Sequence, residues 1–460
     1  MSDSTPPAGP LLPVYEYRSL WAALRARLAR TESGLLLAIV VVLGLTAGLD
    51  AQHNYWHDPH TSAVNILRQS AFLGIFALGA AIVIIAGGID LSSGSVIAFS
   101  GSVCAMLMAL LAPQDVRESG EIAGWVIAVA IAGTLLVGLF IGSFHAWLIT
   151  VVRLPPFVAT LATLVGLRSL ARILMEIVTK EVWDSPKTQI DIAADNFKAL
   201  TREFSLPIPG VSSVWTAAPW VPLVLFALLA ALAWLLMSGT VVGRHLHALG
   251  GNEQAARLSG IQTDRLKWLA YCVSALLASV AGILYVSDTT TANPQNLGRG
   301  YELNAIAAAV VGGCSLSGGV GTITGTVLGV LFLRSVIDGV AKIIKSNAEV
   351  YEGLIVGIVV VVAVALTQIR QAGKRGTRFL GGALGLVLML GVALALGMTV
   401  VLRMSPAARR VYLNLILFEV RLSIVLGVGS ALLTFLVLYA LRAFERRQRT
   451  GPSTLTTRPR

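Results

Sequence analysis

Twelve stretches of this chain are apolar over most of the length a bilayer demands, and no other feature limits its fold as strongly. A membrane-spanning helix needs about 20 mostly apolar residues. The runs are Ser33–Leu49, Ser70–Gly88, Ser95–Ala112, Gly124–Ile149, Pro155–Leu174 and Ala218–Met237, then Trp268–Val286, Leu303–Cys314, Gly319–Val340, Tyr351–Ile369, Phe379–Leu402 and Leu422–Leu441. Lipid offers no partner to an open backbone, so each run must be helical. The expected fold is an all-α polytopic membrane protein with ten core helices and two extra C-terminal ones. Leu303–Cys314 is too short to cross untilted and is expected to be broken or re-entrant. Charged residues are only 13% of the 460, against about 25% in soluble domains, and hydrophobic ones are 55%. A disordered chain, a coiled coil and an ordinary cytosolic enzyme are thereby excluded.

The net charge of +11 sits in the loops, which is the signature of membrane topology and not of nucleic-acid binding. Arg244, Arg257, Arg265 and Lys267 lie in one loop, Arg370, Lys374, Arg375 and Arg378 in another, and Arg442, Arg446, Arg447, Arg449, Arg458 and Arg460 in the tail. Six spans precede the first loop, four separate the first two and two precede the tail. Each even count keeps both termini on the cytoplasmic side under the positive-inside rule. Arg403, Arg409 and Arg410 fall outside, against that rule. No secretory signal opens the chain, and Ser33–Leu49 is expected to stay as a first span. The division is a cytoplasmic segment over 1–32, a transmembrane domain over 33–369 and an extension over 370–460. Within the domain, 176–217 is an outer loop, with helix expected over Ile190–Leu200, and 243–267 is a cytoplasmic loop.

Three motifs interrupt the apolar runs. In Gly87-Gly88-Ile89-Asp90-Leu91-Ser92-Ser93-Gly94-Ser95, two glycines stop one helix, and Asp90, Ser92 or Ser95 can cap the next. Asp90 is also a carboxylate near the membrane, where charge is costly and usually functional. In Gly250–Ile261, Asn252 is placed to cap a short helix, Glu253 sits at its positive end and Gly260 can end it. Small Ala255 and Ala256 leave room for another protein, and the apolar face is too small for firm lipid binding. The third, Gly300–Gly321, ends a short run in glycine pairs, and Gly321, Gly325 and Gly329 then offer a close-packing face. No phosphate-binding loop, zinc motif or catalytic constellation is present, and lone His145 is a packing residue. Cys104, Cys272 and Cys314 have no disulfide or metal spacing and read as small buried hydrophobes.

At these residues the sequence resembles the permease subunits of bacterial ATP-binding-cassette (ABC) importers for simple sugars, of the ribose, xylose and galactose type. Gly87–Ser95 is similar to the family's GGIDLSVGS stretch, with Ser93 replacing Val, and Arg153–Leu161 resembles its PPFIATL segment. Gly243–Ile261 is similar to its GRxxxAxGGNxxAARLSGI loop. Gly300–Gly319 resembles GYELDAIAAxVIGGTSLSGG, with Asn304 where the family has Asp. The likeness runs from about Ser70 to Ile369, so the two last spans lie beyond it.

The resemblance implies a non-enzymatic, multi-pass subunit of the bacterial inner membrane that imports a monosaccharide or similar small polar solute. Its implied partners are a second permease copy, an extracytoplasmic solute-binding protein and an ABC ATPase. ATP and Mg would sit on that ATPase, with no cofactor on this chain. Gly250, Gly251, Asn252, Glu253, Ala255, Ala256, Arg257 and Gly260 match the family's ATPase-coupling loop. A path for a neutral, hydroxyl-rich solute should be weakly polar, which makes Asp90, Ser92, Ser95, Thr160, Thr163 and Asn304 the candidates near helix breaks. An ion-coupled secondary transporter is the alternative, and it would need paired charges inside the spans.

Overall fold

A computed structural model describes residues 31–50, 54–118, 120–205 and 217–344, together with 353, 357, 358 and 361. The apolar runs there form helices α1 (Thr31–Leu49), α2 (Asn54–His57), α3 (Pro59–Ile85), α4 (Ser93–Leu111), α5 (Gly124–Thr150) and α6 (Pro156–Trp183). After the outer segment come α7 (Asp195–Lys198), α8 (Trp220–Trp234, continued by a π turn at Leu235–Gly239), α9 (Val241–Gly251) and α10 (Glu253–Leu258). The last are α11 (Thr263–Thr289), α12 (Tyr301–Val311) and α13 (Ile323–Ile344). Helices α3, α4, α5, α6, α8 with its π turn, α11 and α13 are long and apolar enough to cross a membrane. The chain is an all-α polytopic membrane protein.

Helix α3 is the centre of the bundle. From Ser70 to Ile85 every one of its side chains is buried, which suits a helix that is apolar all round. Helix α11 packs on α3, α4 and α5; α4 also meets α6, and α13 meets α1, α3 and α12. The peripheral α5, α6 and α8 turn large apolar side chains outward, Phe140 at 73% exposure among them. Water disfavours such a surface, whereas hydrocarbon does not.

Nine of the twelve expected spans fall on described helices, while Phe379–Leu402, Leu422–Leu441 and nearly all of Tyr351–Ile369 lie outside the described residues. The main differences are in length. Helix α3 starts at Pro59, capped by Asp58, whose carboxylate accepts the Thr61 N–H at 3.0 Å. Hydrogen bonds from Thr61, its side chain first and its backbone N–H second, hold the Asp58 carboxyl below the usual carboxylate range. Helix α6 runs past Leu174 to Trp183, carried by polar residues such as the Arg172–Glu176 pair at 3.0 Å. The helix expected over Ile190–Leu200 shrinks to α7. Ile190–Asp191 is instead a strand (β1), and Phe204–Ser205 (β2) pairs antiparallel with Ala217–Ala218 (β3). Strand β1 pairs antiparallel with Thr291–Ala292 (β4), just past the end of α11. The competing interaction was a ladder partner one hundred residues away, Thr291 against Asp191, which no local pattern reveals.

Helix α12 bears out the expectation of a broken element. It has eleven residues, about 16 Å of helix, and α13 packs beside it. Side-chain atoms at Gly325 and Gly329 would collide with the Gly312 and Ala308 carbonyls, so these glycines do provide the close face. Gly321 precedes α13 and lies against Ile85 and Cys314.

Candidate functional site

The three glycine motifs, far apart in sequence, meet at one end of the bundle. Helix α3 ends as Gly87 and Gly88 donate their N–H groups to Ile84 O and Val83 O, both at 2.9 Å. Gly87 has φ +84°, a left-handed value that suits a residue without Cβ. The last turn of α9 lies across this end, and Gly319 N–H donates to Ile85 O at 2.9 Å. A Cβ on Gly250 would overlap Ile85 O and stand 2.5 Å from Gly319 N and 3.0 Å from Gly87 N. Backbone therefore touches backbone among all three segments. A push on α9 reaches the end of α3 with no flexible side chain between them.

From this junction projects α10. Asn252 caps it as expected, accepting the Ala255 N–H at 3.0 Å, and Gly260 follows in a left-handed conformation with φ +82°. Glu253 pairs with Lys267 at 2.7 Å, and Arg257 with Asp264 at 3.1 Å. Arg257 also donates to Thr263 Oγ1 at 2.9 Å. These contacts tie the loop to the first two turns of α11. Ala255 is exposed, but Ala256 is buried against its own chain and leaves no surface for a partner. The exposed apolar group is Leu258, at 90%. Sequence reasoning missed it because an isolated leucine in a basic loop carries no periodic signal.

Past Gly88 the chain turns back into the bundle. Asp90 Oδ1 accepts the Ser92 N–H at 2.8 Å and the Ser92 hydroxyl at 2.5 Å, while Oδ2 accepts the Ser274 hydroxyl at 2.8 Å. Ser274 is eleven residues into α11, about 16 Å from its start, so the carboxylate is deep. Helix α4 begins there. Its cap position is Ser92, whose hydroxyl serves Asp90 and not the helix. Leu91 N–H donates to Thr160 Oγ1 at 3.2 Å, Ser95 Oγ to Thr163 O at 3.2 Å, and Thr163 Oγ1 meets His145 Nε2 at 2.7 Å. Of the expected path residues, Asp90, Ser92, Ser95, Thr160 and Thr163 thus share one buried network. Asn304 is buried on α12.

Arg168 lies within the apolar run Pro155–Leu174. It reaches from α6 to donate to Pro294 O at 3.0 Å, Leu297 O at 2.9 Å and Gly298 O at 2.8 Å. The strand of chain before α12 is therefore folded around a guanidinium. Backbone acceptors carry no sequence signature, which is why the pairing was not legible.

A family described as "Branched-chain amino acid transport system / permease component" matches residues 62–364. The chain is 32% identical to the "Ribose import permease protein RbsC" of Escherichia coli strain K12, over 74% of this chain and 94% of that one. It is 33% identical to the "Autoinducer 2 import system permease protein LsrC" of Photorhabdus laumondii, over 67% and 81%. It is 34% identical to the "Probable ABC transporter permease protein y4mJ" of Sinorhizobium fredii, over 75% and 92%. No solved structure matches the chain. These similarities fit an importer's permease and not an ion-coupled carrier.

Proposed function

The chain belongs to the family of permease components of branched-chain amino acid transport systems, and from that premise we propose that it carries a neutral, hydroxyl-rich solute of monosaccharide size across the inner membrane. The relatives named for ribose and autoinducer 2 support that class. So does the buried network around Asp90, whose partners are hydroxyls and backbone groups, which suit weak, exchangeable contacts with a polyol. ATP and Mg belong to a separate ABC ATPase. That motor docks on the cytoplasmic loop Gly250–Gly260, with Arg244, Arg257, Arg265 and Lys267 setting its side and both termini sharing it. A solute-binding protein delivers at the opposite end, and a second permease copy completes the path. The extension over 370–460 is an addition to the transporting domain over 33–369.

The observation that carries the coupling assignment is the combination of Leu258, almost fully exposed, with a loop made rigid by Glu253, Arg257, Asp264 and Lys267. An exposed leucine on a braced loop is an anchor for a hydrophobic pocket on another protein. Leu258→Asp is expected to lower co-purification of the ATPase at least tenfold, a central anchor contributing about 2 kcal/mol or more. The thermal midpoint of the detergent-solubilised permease should stay put, because Leu258 touches little of its own chain. Undiminished co-purification would place the motor elsewhere.

A further inference from the structure

Helices α4 and α12 both begin inside the bundle, and their first turns face each other. A Cβ on Gly94, in the first turn of α4, would collide with both Gly298 O and Glu302 Oε2. Glu302 is only 9% exposed, and its Oε2 has no hydrogen-bond partner among the described residues. Ser93, at 0% exposure in the same turn of α4, has an equally unpartnered Oγ. Buried polar atoms without partners are rare because each forfeits its hydration. Two of them at one helix N-terminus, one a carboxylate, mark a place built to hold something else.

We propose that Glu302 and Ser93, with the first N–H groups of α4, form the solute-binding site inside the translocating domain. The inference rests on the class of solute assigned above and deepens it. The open N–H groups and the positive end of the α4 dipole disfavour a cation, and the Glu302 carboxylate disfavours an anion. A neutral solute whose hydroxyls both donate and accept satisfies each side. One hydroxyl donates to Glu302 Oε2, and an oxygen accepts from the α4 N–H groups. Half-helix N-termini in carriers point at anionic substrate groups, and a hydroxyl oxygen offers the α4 N–H groups the same kind of acceptor. In the conformation described, Glu302 lies directly over Gly94, so the site opens only when α12 moves away from α4. Arg168 is a positioning residue: it fixes Pro294, Leu297 and Gly298, and Glu302 is within its electrostatic reach.

The test uses the full importer, with its ATPase and binding protein, in proteoliposomes. ATP-driven uptake of D-ribose is compared with that of its 2-, 3- and 5-deoxy analogues at saturating concentrations. The binding protein's own preference is common to all variants and cancels. Glu302→Gln is expected to shrink the penalty against one analogue by about fivefold, the difference between a charged and a neutral hydrogen bond, and Ser93→Ala to shrink another by about fivefold through the loss of one neutral hydrogen bond. A purely structural role would lower all four rates together. Preferences equal to those of the unsubstituted importer in both variants would overturn the proposal. Where Glu302→Gln does not assemble with the ATPase, Ser93→Ala decides alone, because its hydroxyl has no partner to lose. Failure of the unsubstituted importer to take up D-ribose with ATP would instead strike at the solute class, and this site would fall with it.

Discussion

Gly250→Ala is expected to abolish ATP-driven uptake and to destabilise the permease by about 3 kcal/mol or more, whereas Gly251→Ala next to it should leave the stability unchanged. The contrast follows from what a methyl group meets. At Gly250 it would overlap the Ile85 carbonyl and press on the Gly319 and Gly87 nitrogens, all of them backbone. Overpacking is tolerable when a side chain can swing aside, and it commonly costs about 1–3 kcal/mol even then. Here the helix end itself has to shift, and the Gly319 N–H to Ile85 O bond of 2.9 Å is lost with it. At Gly251 nothing lies within 4 Å. Fluorescence-detected gel filtration and a thermal ramp on the two variants, side by side, measure the difference. Equal midpoints would mean that α9 does not lie against α3, and the route from coupling loop to bundle centre would be lost.

That route gives the glycine junction its meaning. The Gly87–Gly88 turn is both the end of α3 and the start of the strand that carries Asp90 into the bundle. With an ATPase docked as proposed above, a displacement of α9 would move Gly250, hence Gly87, hence the polar network only a few residues on. Rigid contact is needed at that step, and the glycines supply it by close approach, with Gly87 and Gly318 held at positive φ.

Much of this was legible beforehand, and the boundary between what was and was not is physical. Apolar run length located the helices because burial in lipid is a local property of composition. Capping located α10, since Asn252 bonds only three residues along. Broken α12 followed from its shortness and its terminal glycines. What stayed hidden depends on backbone partners distant in sequence. Gly250 gives no sign that Ile85 is its neighbour, and nothing near Arg168 announces the carbonyls of Pro294, Leu297 and Gly298. Ala256 was misread because a six-residue helix has two faces and smallness does not say which one is covered. The early start of α3 was readable from Asp58-Pro59, a cap followed by proline at the first helical position, but a search guided by hydropathy passes over it.

Arg168 carries the other large expectation. Arg168→Leu keeps the bulk of the stem but strands three carbonyls and removes a positive charge that acts on Glu302. Leaving a buried acceptor without its partner costs about 1–3 kcal/mol, and here three carbonyls lose the same donor. The loss should fall on the segment before α12, seen as faster hydrogen exchange over residues 293–304, with uptake abolished. Arg168→Lys should recover little. An ammonium is a point donor and cannot span three carbonyls as the planar guanidinium does. Adding Glu302→Leu to Arg168→Leu should cost less than the sum of the two single changes, because the second removes a charge that the first left alone. Strict additivity in that cycle would show that the two groups do not act on each other. Arg168 would then serve the loop carbonyls alone, and it would lose its role in placing the Glu302 carboxylate over the start of α4.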